Sequence, residues 1–316
     1  MSAIRNAFVL GAGLGTRLKS LTARLPKPLI PICNKPLITF AFDHLIRSGV
    51  TNLVVNTHHC HEAYARFFPD GTYRGLAVQF AHEVDLLETA GGIKNVEPLL
   101  KGEPFVVYNG DILCDLPLDK AIRHHFDSGS EITMILRSKG GPLKVALDRK
   151  TGRIADIAGH LSGSIPLEFL FTGIYIVNPE FFARIPEKTK ISVIPIFLEM
   201  IRRGERLGGL VIDEGHWWDL GTREEYLAAH RQITQREFIT GEGTRLQRIH
   251  PSASIDPTAR ISERTAVGAN SVIGGNASIT DCILWENAHI APGSILKNCI
   301  ITAGSRVDGT HADEDF

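Results

Sequence analysis

Short apolar segments alternate with amphipathic segments along the chain up to about residue 235. The apolar segments predict β-strands, and several of them stop at Gly, Asn or Asp. The predicted strands are Ala7–Leu10, Asn52–Asn56, Ala77–Ala81, Phe105–Tyr108 and Glu131–Arg137. Strands that alternate with helices favour an α/β fold, here a Rossmann-like, mostly parallel sheet with helices on both faces.

Two of the predicted helices have recognisable ends. Pro36 fits the first turn of one helix, and Gly49 fits its C-cap. The apolar face of this helix would carry Leu37, Phe40, Ala41, His44 and Leu45. Thr222 and Glu225 have the spacing of a capping box, which predicts a second helix that runs to about Thr234.

The pattern changes after Ile239–Arg248, a polar, Gly-rich stretch that we interpret as a linker. Beyond it, aliphatic residues recur every six positions, at Ile249, Ile255, Ile261, Val267, Ile273 and Ile279. The repeat then continues at a spacing of 17, which aligns Cys282 with Cys299. A six-residue period predicts a β-solenoid with coils of about 18 residues, in which these two cysteines stack in the core. We therefore predict two domains, residues 1–238 and 249–316.

Composition limits the possible partners. The 316 residues include 34 basic and 35 acidic ones, for a formal net charge of −1, and 43% are hydrophobic. Without a global positive field we expect no nucleic-acid partner, so any site for a polyanion must be local. No segment approaches the roughly 20 apolar residues of a membrane span, and the five scattered cysteines form no CxxC pair. We expect a cytoplasmic protein with reduced thiols and no membrane partner.

The segment Gly11-Ala-Gly-Leu-Gly-Thr16 follows the first predicted strand and has the glycines of a phosphate-binding loop. Thr16 replaces the third glycine of the dinucleotide fingerprint, and the lysine of a Walker loop is also missing. Pro26, Pro28 and Pro31 follow soon after, so we expect no helix to open directly from the loop. The glycines would let backbone N–H groups approach an anion in another way.

Arg17 and Lys27 supply two cations close to this loop. Arginine offers a rigid fork of donors, and Lys27 is a point charge on a stiff segment flanked by prolines. Together with the glycines, they predict a cradle for a polyphosphate. The alternative is a structural glycine turn with two surface cations.

Four motifs occur in one order along the chain: GAGLGTRL followed by PKPLIPICNKP, Glu88-Thr-Ala-Gly-Gly-Ile93, Val106-Val-Tyr-Asn-Gly-Asp111 and Trp217-Trp-Asp-Leu-Gly-Thr222. This combination resembles the sugar-1-phosphate nucleotidyltransferases, also called NDP-sugar pyrophosphorylases. The resemblance implies that an NTP and a sugar-1-phosphate are joined into an NDP-sugar, with release of pyrophosphate. It also implies that the hexapeptide-repeat domain is a left-handed β-helix, a common appendage in that family.

The resemblance also implies roles for individual residues. Asp111 and Asp219 would bind Mg²⁺, and Asp111 would act in catalysis together with Arg17 and Lys27. Contacts with the nucleotide would come from Ala12, Gly13, Gly15, Thr16, Thr89 and Gly92. Contacts with the sugar would come from Gly110, Thr172 and Gly173, and from Glu168 and Lys190 in place of a Glu–Lys pair that many relatives carry elsewhere.

The implied chemistry depends on charge. The sugar-1-phosphate oxygen that attacks the α-phosphorus is ionised near neutral pH, so the reaction needs no strong general base. Positioning and neutralisation of negative charge should therefore dominate catalysis. We expect Arg17 to stabilise the departing pyrophosphate and Lys27 the reacting phosphates.

Three alternatives remain for the detailed function. The TAGGI stretch and the β-helix together resemble mannose-1-phosphate guanylyltransferases, which favours GTP with mannose-1-phosphate or a related hexose or heptose phosphate. Glu88-Thr-Ala-Gly-Gly with Phe171-Thr-Gly-Ile174 also resembles N-acetylmuramate-1-phosphate uridylyltransferases, which favours UTP with an N-acetylated amino-sugar-1-phosphate. The third alternative is a non-catalytic regulatory subunit, although such subunits usually lose the charged residues that this chain retains. In each case we expect the β-helix to drive homo-oligomerisation.

Overall fold

The computed structural model describes residues 3–13, 15–161, 163–235 and 246–316. Before the β-helix, its strands are β1 (Asn6–Leu10), β2 (Pro31–Ile32), β3 (Lys35–Pro36), β4 (Asn52–Thr57), β5 (Thr72–Tyr73), β6 (Leu76–His82), β7 (Phe105–Asn109), β8 (Ile112–Cys114), β9 (Ile132–Arg137), β10 (Val145–Asp148), β11 (Arg153–Ile157), β12 (Leu170–Val177), β13 (Leu207–Val211) and β14 (Trp217–Asp219). The α-helices are α1 (Ile38–Arg47), α2 (Glu62–Phe67), α3 (Glu88–Asn95), α4 (Leu118–Ser128), α5 (Val193–Arg202) and α6 (Arg223–Gln235). Short 3₁₀ helices cover Thr16–Thr22, Lys27–Leu29, Glu97–Leu99 and Pro179–Arg184.

Ten of these strands form one mixed, mostly parallel sheet in the order β10-β11-β13-β9-β12-β7-β1-β4-β6-β5. Strand β1 is parallel to both β4 and β7, whereas β12 is antiparallel to β7 and β9. Strands β1 and β7 are almost completely buried, as expected for the centre of a sheet that is covered on both faces. Leu10 pairs with Asn109, so the segments that follow β1 and β7 leave the sheet at the same edge.

The chain divides into two compact units. The first, Met1–Leu14 with Phe40–Trp218, contains the ten-stranded sheet. The second, Gly15–Thr39 with Asp219–Phe316, contains α6, the β2–β3 hairpin and the β-helix. The domain bounds expected from the sequence, 1–238 and 249–316, follow the change of sequence pattern and stay a prediction.

The β-helix is built from short parallel strands in three sheets, and confirms the solenoid prediction. The sheets have the orders β15-β18-β21-β24, β16-β19-β22-β25 and β17-β20-β23. The strands are β15 (Ser254–Ile255), β16 (Arg260–Ile261), β17 (Ala266–Val267), β18 (Val272–Ile273), β19 (Ser278–Thr280), β20 (Ile283–Leu284), β21 (His289–Ile290), β22 (Ile295–Lys297), β23 (Ile300–Ile301), β24 (Arg306–Val307) and β25 (Thr310–Ala312). Ile255 pairs with Ile273, and the fully buried Cys282 accepts the Cys299 N–H at 3.4 Å. Aliphatic residues and thiols therefore stack coil upon coil, as the repeat predicted.

The five predicted strands all occur, and no end differs by more than one residue. The capping box is also confirmed, since Thr222 N–H donates to Glu225 Oε2 at 2.8 Å and Glu225 N–H donates to Thr222 Oγ1 at 3.2 Å. Most of the predicted linker, residues 239–245, lies outside the described residues. None of the described helices combines the length and the apolar composition that a membrane span requires.

The start predicted for the first helix is wrong. Pro36 belongs to strand β3, where it pairs with Pro31, and α1 begins only at Ile38. Pro36 pairs with Pro31, only five residues earlier in the sequence, in a tight hairpin. The apolar pattern that predicted the helix did not reveal this pairing.

The expectation that no helix follows the glycine loop is also wrong, because the 3₁₀ helix Thr16–Thr22 begins directly after it. This helix ends before Pro26, so the prolines do not interrupt it. Gly15 turns the chain into it with a φ of +62°, and Thr22 Oγ1 donates to the Gly15 carbonyl at 2.9 Å.

Candidate active site

In the first unit, Gly11 is held by hydrogen bonds on both sides of its backbone at the end of β1. Its N–H donates to Asn56 Oδ1 at 2.8 Å, and its carbonyl accepts the Tyr64 hydroxyl at 3.1 Å. A Cβ atom at Gly11 would lie 2.6 Å from the Asn56 carbonyl oxygen and 2.8 Å from the Tyr64 hydroxyl oxygen. Only glycine therefore fits where the loop begins, because a side chain would collide with the groups that hold it.

A buried carboxylate, Glu83, orients the Asn56 side chain. Glu83 is 2% exposed; its Oε1 accepts the Asn56 amide at 2.7 Å, and its Oε2 accepts the Leu87 N–H at 2.9 Å. Because Asn56 donates through Nδ2, its oxygen is turned toward Gly11. A Cβ atom at Gly92 would lie 2.9 Å from both Asn56 Nδ2 and Glu83 Oε1. The loop after β1 and helix α3 therefore share one polar support.

The Thr-Ala-Gly-Gly stretch opens helix α3 and joins it to the start of α5. Thr89 Oγ1 accepts the Val193 N–H at 2.8 Å, and the N–H groups of Ala90 and Gly91 donate to the Ile191 carbonyl at 2.9 and 3.1 Å. The hydroxyl oxygen of Thr89 is thus engaged inside this unit, and its contact with a nucleotide stays a prediction.

Strand β7 carries Asp111 to the sheet edge from which the glycine loop also leaves. Gly110 N–H donates to the Leu10 carbonyl at 3.0 Å, and a Cβ atom at Gly110 would lie 2.7 Å from that oxygen. Asp111 follows and is half-buried. In open α/β sheets, ligands bind at the carboxyl ends of the strands, which is where Asp111 lies.

A buried hydrogen-bond chain ties together the two strands that flank Asp111. His44 Nε2–H donates to the Leu116 carbonyl at 2.6 Å, so Nδ1 accepts the Tyr108 hydroxyl at 3.1 Å. The Tyr108 oxygen accepts the Cys114 thiol at 2.9 Å. Burial lowers the pKa of His44 to about 4 and raises the pKa of Cys114 to about 11. The imidazole is therefore neutral, in the tautomer that this chain of donors requires.

Two of the predicted sugar contacts lie on β12. Thr172 is fully buried, its hydroxyl donates to the Ile135 carbonyl at 2.8 Å, and its carbonyl accepts the Trp217 indole N–H at 2.9 Å. Gly173 follows with a φ of +78° and lies against the Asn109 side chain. The polar groups of Thr172 are thus engaged in the sheet, and a sugar contact by Thr172 and Gly173 stays a prediction.

Two more of the five predicted sugar contacts, Glu168 and Lys190, lie outside the strands. Glu168 is exposed, and its Oε2 is 3.1 Å from Arg149 Nη2. Lys190 is also exposed, two residues before Ser192, the N-cap of α5. These positions neither support nor contradict contacts of Glu168 and Lys190 with the sugar, which stay a prediction.

In the second unit, three of the predicted residues lie together: Arg17, Lys27 and Asp219. Lys27 Nζ is 3.4 Å from Asp219 Oδ1, and Arg17 Nη2 is 3.8 Å from Asp219 Oδ2. Their side chains are 60% (Arg17), 6% (Lys27) and 36% (Asp219) exposed. Both distances exceed the roughly 2.7–2.9 Å of a close charge-assisted hydrogen bond. Two cations thus share one carboxylate in ion pairs loose enough for a phosphate to compete.

The remaining loop residues of the predicted nucleotide site differ in exposure. In the first unit, Ala12 is buried and Gly13 is exposed, and a Cβ atom at Gly13 would have no described neighbour within 4 Å. In the second unit, Gly15 is half-buried and Thr16 is exposed at the start of the 3₁₀ helix. Gly13 and Thr16 are therefore accessible, and their contacts with a nucleotide stay a prediction.

Comparison with known proteins identifies the family. A family model described as Nucleotidyl transferase matches residues 6–236, which is more than half of the chain. The chain belongs to this nucleotidyl transferase family. A second model, described as GMPPB C-terminal domain, matches residues 245–312 of the nucleotidyl transferase.

Two named relatives resemble this nucleotidyl transferase along most of its length. Mannose-1-phosphate guanylyltransferase of Mycobacterium tuberculosis is 26% identical over 92% of this chain and 83% of its own. Mannose-1-phosphate guanylyltransferase catalytic subunit beta of Danio rerio is 30% identical over 95% of this chain and 87% of its own. Together with the family model, they make this protein a sugar-1-phosphate nucleotidyltransferase enzyme, as the sequence motifs implied.

A solved structure shows the same fold. HddC from Yersinia pseudotuberculosis, in complex with GMP-PN, superimposes with a TM-score of 0.59 at 22% identity. The superposition covers 71% of the nucleotidyl transferase chain and 97% of HddC. At this identity the likeness concerns the fold alone.

Sequence reasoning missed three residues that hold the loop of this nucleotidyl transferase: Asn56, Tyr64 and Glu83. A signal existed for Asn56, because it is a polar residue near the end of an apolar predicted strand, where ligand sites form. Glu83 directly follows the strand β6, and a polar residue at such a position is usually interpreted as part of a turn. Nothing in the sequence sets Tyr64 apart from other aromatic residues of an amphipathic helix.

Proposed function

We propose that this enzyme joins GTP to mannose-1-phosphate, or to a related hexose or heptose phosphate, and releases pyrophosphate. The support for the substrates is the name mannose-1-phosphate guanylyltransferase, carried by relatives similar along most of both chains. The match of residues 245–312 to the GMPPB C-terminal domain extends that similarity into the β-helix.

The observation that carries the chemistry is the cluster of Arg17, Lys27 and Asp219. The cluster brings the cations Arg17 and Lys27 to one place, which favours a polyphosphate ligand. We assign Lys27 to the reacting phosphates, because its buried ammonium is held in one place. We assign Arg17 to the departing pyrophosphate, because an exposed guanidinium can turn and bind two oxygens at once.

Asp111 and Asp219 are the residues that we propose to hold Mg²⁺. In the described part of the chain, no three His, Cys, Asp or Glu side chains form a closed metal cage. Two carboxylates suit Mg²⁺, which is usually bound by one or two carboxylates together with substrate phosphates and water. When bound, Mg²⁺ would neutralise charge on the phosphates of the two substrates.

The backbone of the loop is proposed to bind the nucleotide. Gly13 in the first unit and Thr16 in the second offer exposed backbone, and Gly15 is half-buried. Ala12, Thr89 and Gly92 are assigned to the nucleoside by family resemblance. Gly110, Thr172, Gly173, Glu168 and Lys190 are assigned to the sugar in the same way. For Thr172, whose hydroxyl and carbonyl are engaged, the contact would be indirect.

The β-helix is proposed to assemble copies of the enzyme. It exposes apolar side chains on its surface, among them Ile295 of β22, which is 51% exposed. An uncovered face of a solenoid and its open coil end are surfaces that a second copy can cover.

A matrix of nucleotides against sugar-1-phosphates tests the proposed function, with pyrophosphate release as the readout. We expect the highest kcat/KM for GTP with mannose-1-phosphate or a related hexose or heptose phosphate. A clear preference for UTP with an N-acetylated amino-sugar-1-phosphate would replace the proposal with the uridylyltransferase alternative. No release with any pair would favour the regulatory subunit.

A further inference from the structure

Lys27 belongs to a stiff segment of the second unit, which we call the lysine segment, residues 27–36. It starts with the 3₁₀ turn Lys27–Leu29, in which the Ile30 N–H donates to the Lys27 carbonyl at 3.2 Å. The β2–β3 hairpin follows, and Cys33 and Asn34 form its tip with φ of 45° and 70°. Only three residues separate Lys27 from Pro31, and one of them is a proline, so a shift at Pro31 moves Lys27 as well.

Helix α6 holds the lysine segment by two hydrogen bonds from side chains one turn apart. The Tyr226 hydroxyl donates to the Pro31 carbonyl at 2.5 Å. His230 Nε2 accepts the Cys33 N–H at 3.2 Å, and its Nδ1–H donates to the Tyr226 carbonyl at 3.1 Å. Tyr226 and His230 are both fully buried, so these bonds are shielded from water.

The β-helix in turn holds Tyr226 and the tip of the hairpin. The Trp285 indole N–H donates to the Tyr226 hydroxyl oxygen at 3.2 Å, and the Asn34 amide donates to the Val267 carbonyl at 3.1 Å. Tyr226 therefore receives one hydrogen bond from the β-helix and gives one to the lysine segment.

The β-helix also fixes the start of α6, close to Asp219. Arg223 Nε donates to Asp315 Oδ1 at 2.6 Å, and Arg223 Nη2 donates to the Asn298 carbonyl at 2.5 Å. Arg223 follows Asp219 by four residues. Both members of the Lys27–Asp219 ion pair thus lie next to segments that are anchored on coils of the β-helix.

We propose that the β-helix positions Lys27 for catalysis, through the chain of hydrogen bonds from Trp285 to Tyr226 to the Pro31 carbonyl. Tyr226 and Trp285 are positioning residues, and the proposal rests on the proposed role of Lys27 in the reaction. Loss of the Tyr226 hydroxyl leaves the Pro31 carbonyl without this buried donor and lets the lysine segment shift. Since a misplacement of about 1 Å can cost up to about 100-fold in rate, such a shift should show in turnover.

The first test compares full-length Tyr226→Phe and Trp285→Phe with the control Ser294→Ala, using GTP and mannose-1-phosphate or the pair that the substrate matrix selects. Ser294 is a buried β-helix residue whose hydroxyl bonds the Ala291 carbonyl at 2.8 Å, within its own coil. We expect kcat to fall about 10-fold in Tyr226→Phe and about 3-fold in Trp285→Phe. We expect KM for the nucleotide to stay within about 2-fold, and Ser294→Ala to keep the wild-type kcat.

Circular dichroism shows whether each variant folds. If Tyr226→Phe does not fold, the kcat of Trp285→Phe tests the proposal instead. Trp285→Phe keeps an aromatic ring and the bond from Tyr226 to Pro31, and removes the indole N–H together with one of the two fused rings. Wild-type kcat in a folded Tyr226→Phe, or the same loss of kcat in Ser294→Ala, would overturn the proposal.

A double-mutant cycle separates positioning of Lys27 from general stabilisation. If Tyr226 acts through Lys27, Tyr226→Phe causes no further loss of kcat in a Lys27→Ala background. An equal loss in both backgrounds would show a purely structural role. The single variant Lys27→Ala tests the role of Lys27 apart from its positioning by Tyr226. Wild-type turnover in this variant would refute the proposed role of Lys27 itself.

Discussion

Lys27 Nζ lies 3.4 Å from Asp219 Oδ1, although only 6% of the Lys27 side chain is exposed. The other oxygen of the same carboxylate lies 3.8 Å from Arg17, whose side chain is 60% exposed. One carboxylate therefore meets a cation fixed in the protein interior and a cation that is free to follow a ligand. This difference lets the two cations be tested separately.

Arg17→Ala should lower turnover at least ~100-fold and leave the melting temperature nearly unchanged. The loss follows from removal of a charge that we propose to stabilise the leaving pyrophosphate. Stability should not change, because an exposed ion pair contributes at most about 1 kcal/mol. Pyrophosphate release and thermal unfolding measure the two effects, and Arg24→Ala, which removes an exposed arginine of the same segment, is the matched control. Equal losses in Arg17→Ala and Arg24→Ala would show a nonspecific effect of charge.

Asp111→Asn should also lower turnover at least ~100-fold, and should raise the Mg²⁺ concentration required for half-maximal rate. The amide keeps the shape of the side chain and removes the negative charge that a hard cation prefers. Asp127→Asn, at an exposed aspartate of α4, controls for the change in net charge. Near wild-type rates in purified Asp111→Asn would refute the metal assignment.

Asn56→Ala should impair both stability and catalysis. It leaves the Gly11 N–H and Glu83 Oε1 without their partner, and each unsatisfied buried group costs about 1–3 kcal/mol. Because Gly11 begins the loop that we propose to bind phosphate, we expect kcat to fall ~10-fold or more. Asn52→Ala is the control, since Asn52 lies at the opposite end of β4 and bonds Asn6 Oδ1 and the Leu99 carbonyl. It should lower the urea midpoint with little effect on kcat, and an equal loss of activity would argue against a specific role for Asn56.

The free energy of unfolding should decrease as the pH falls from about 6.5 to about 4. Burial lowers the pKa of His44 and of His230 to about 4, below the ordinary value of about 6.5. The unfolded chain therefore binds these protons first, so each histidine costs up to ~1.4 kcal/mol per pH unit in this window and nothing more below it. Their buried neighbours stay neutral there, because burial raises the pKa of Cys114 to about 11 and that of Cys33 to about 12.

Urea unfolding at several pH values measures this dependence. Carboxylates also titrate near pH 4, so the informative quantity is the difference between the wild type and His230→Gln. The variant should show a shallower slope between pH 6.5 and pH 5, and identical slopes would contradict the neutral, buried state of His230.

Ile295→Glu should lower the oligomeric state if the surface of the β-helix joins copies of the enzyme. The substitution places a charge on an apolar side chain that is half exposed and is not part of the solenoid core. Light scattering on the full-length protein measures the mass, and Lys297→Glu, on an exposed residue of the same strand, is the control. An unchanged mass in Ile295→Glu would exclude this face as the contact.

Features that depend on residues close in sequence could be predicted. The apolar runs of the central strands, the six-residue repeat and the Thr222–Glu225 capping box are local patterns, and the structure has all three. Arg17 and Lys27 were found because they lie close to the glycine loop, within one motif.

Features that depend on distant residues escaped prediction. The bond from Asn56 to Gly11 spans 45 residues, and the bond from Tyr226 to Pro31 spans 195. Single polar residues such as these carry no periodic signal, and only the topology of the sheet or of the solenoid brings them to their partners. The residues that support the site could therefore not be predicted from the sequence, although its charged residues could.

The β-helix contacts of the lysine segment also set an order of events during synthesis. Asn34 emerges from the ribosome 233 residues before Val267, which accepts its amide hydrogen. At about 5–20 residues per second, this interval lasts on the order of 10–50 s. For that time the nascent chain already contains the cations that we propose to bind phosphate, but lacks the coils that anchor the lysine segment. A polypeptide released before the β-helix is complete would thus carry Arg17, Lys27 and Asp219 without the coils that hold the lysine segment and helix α6.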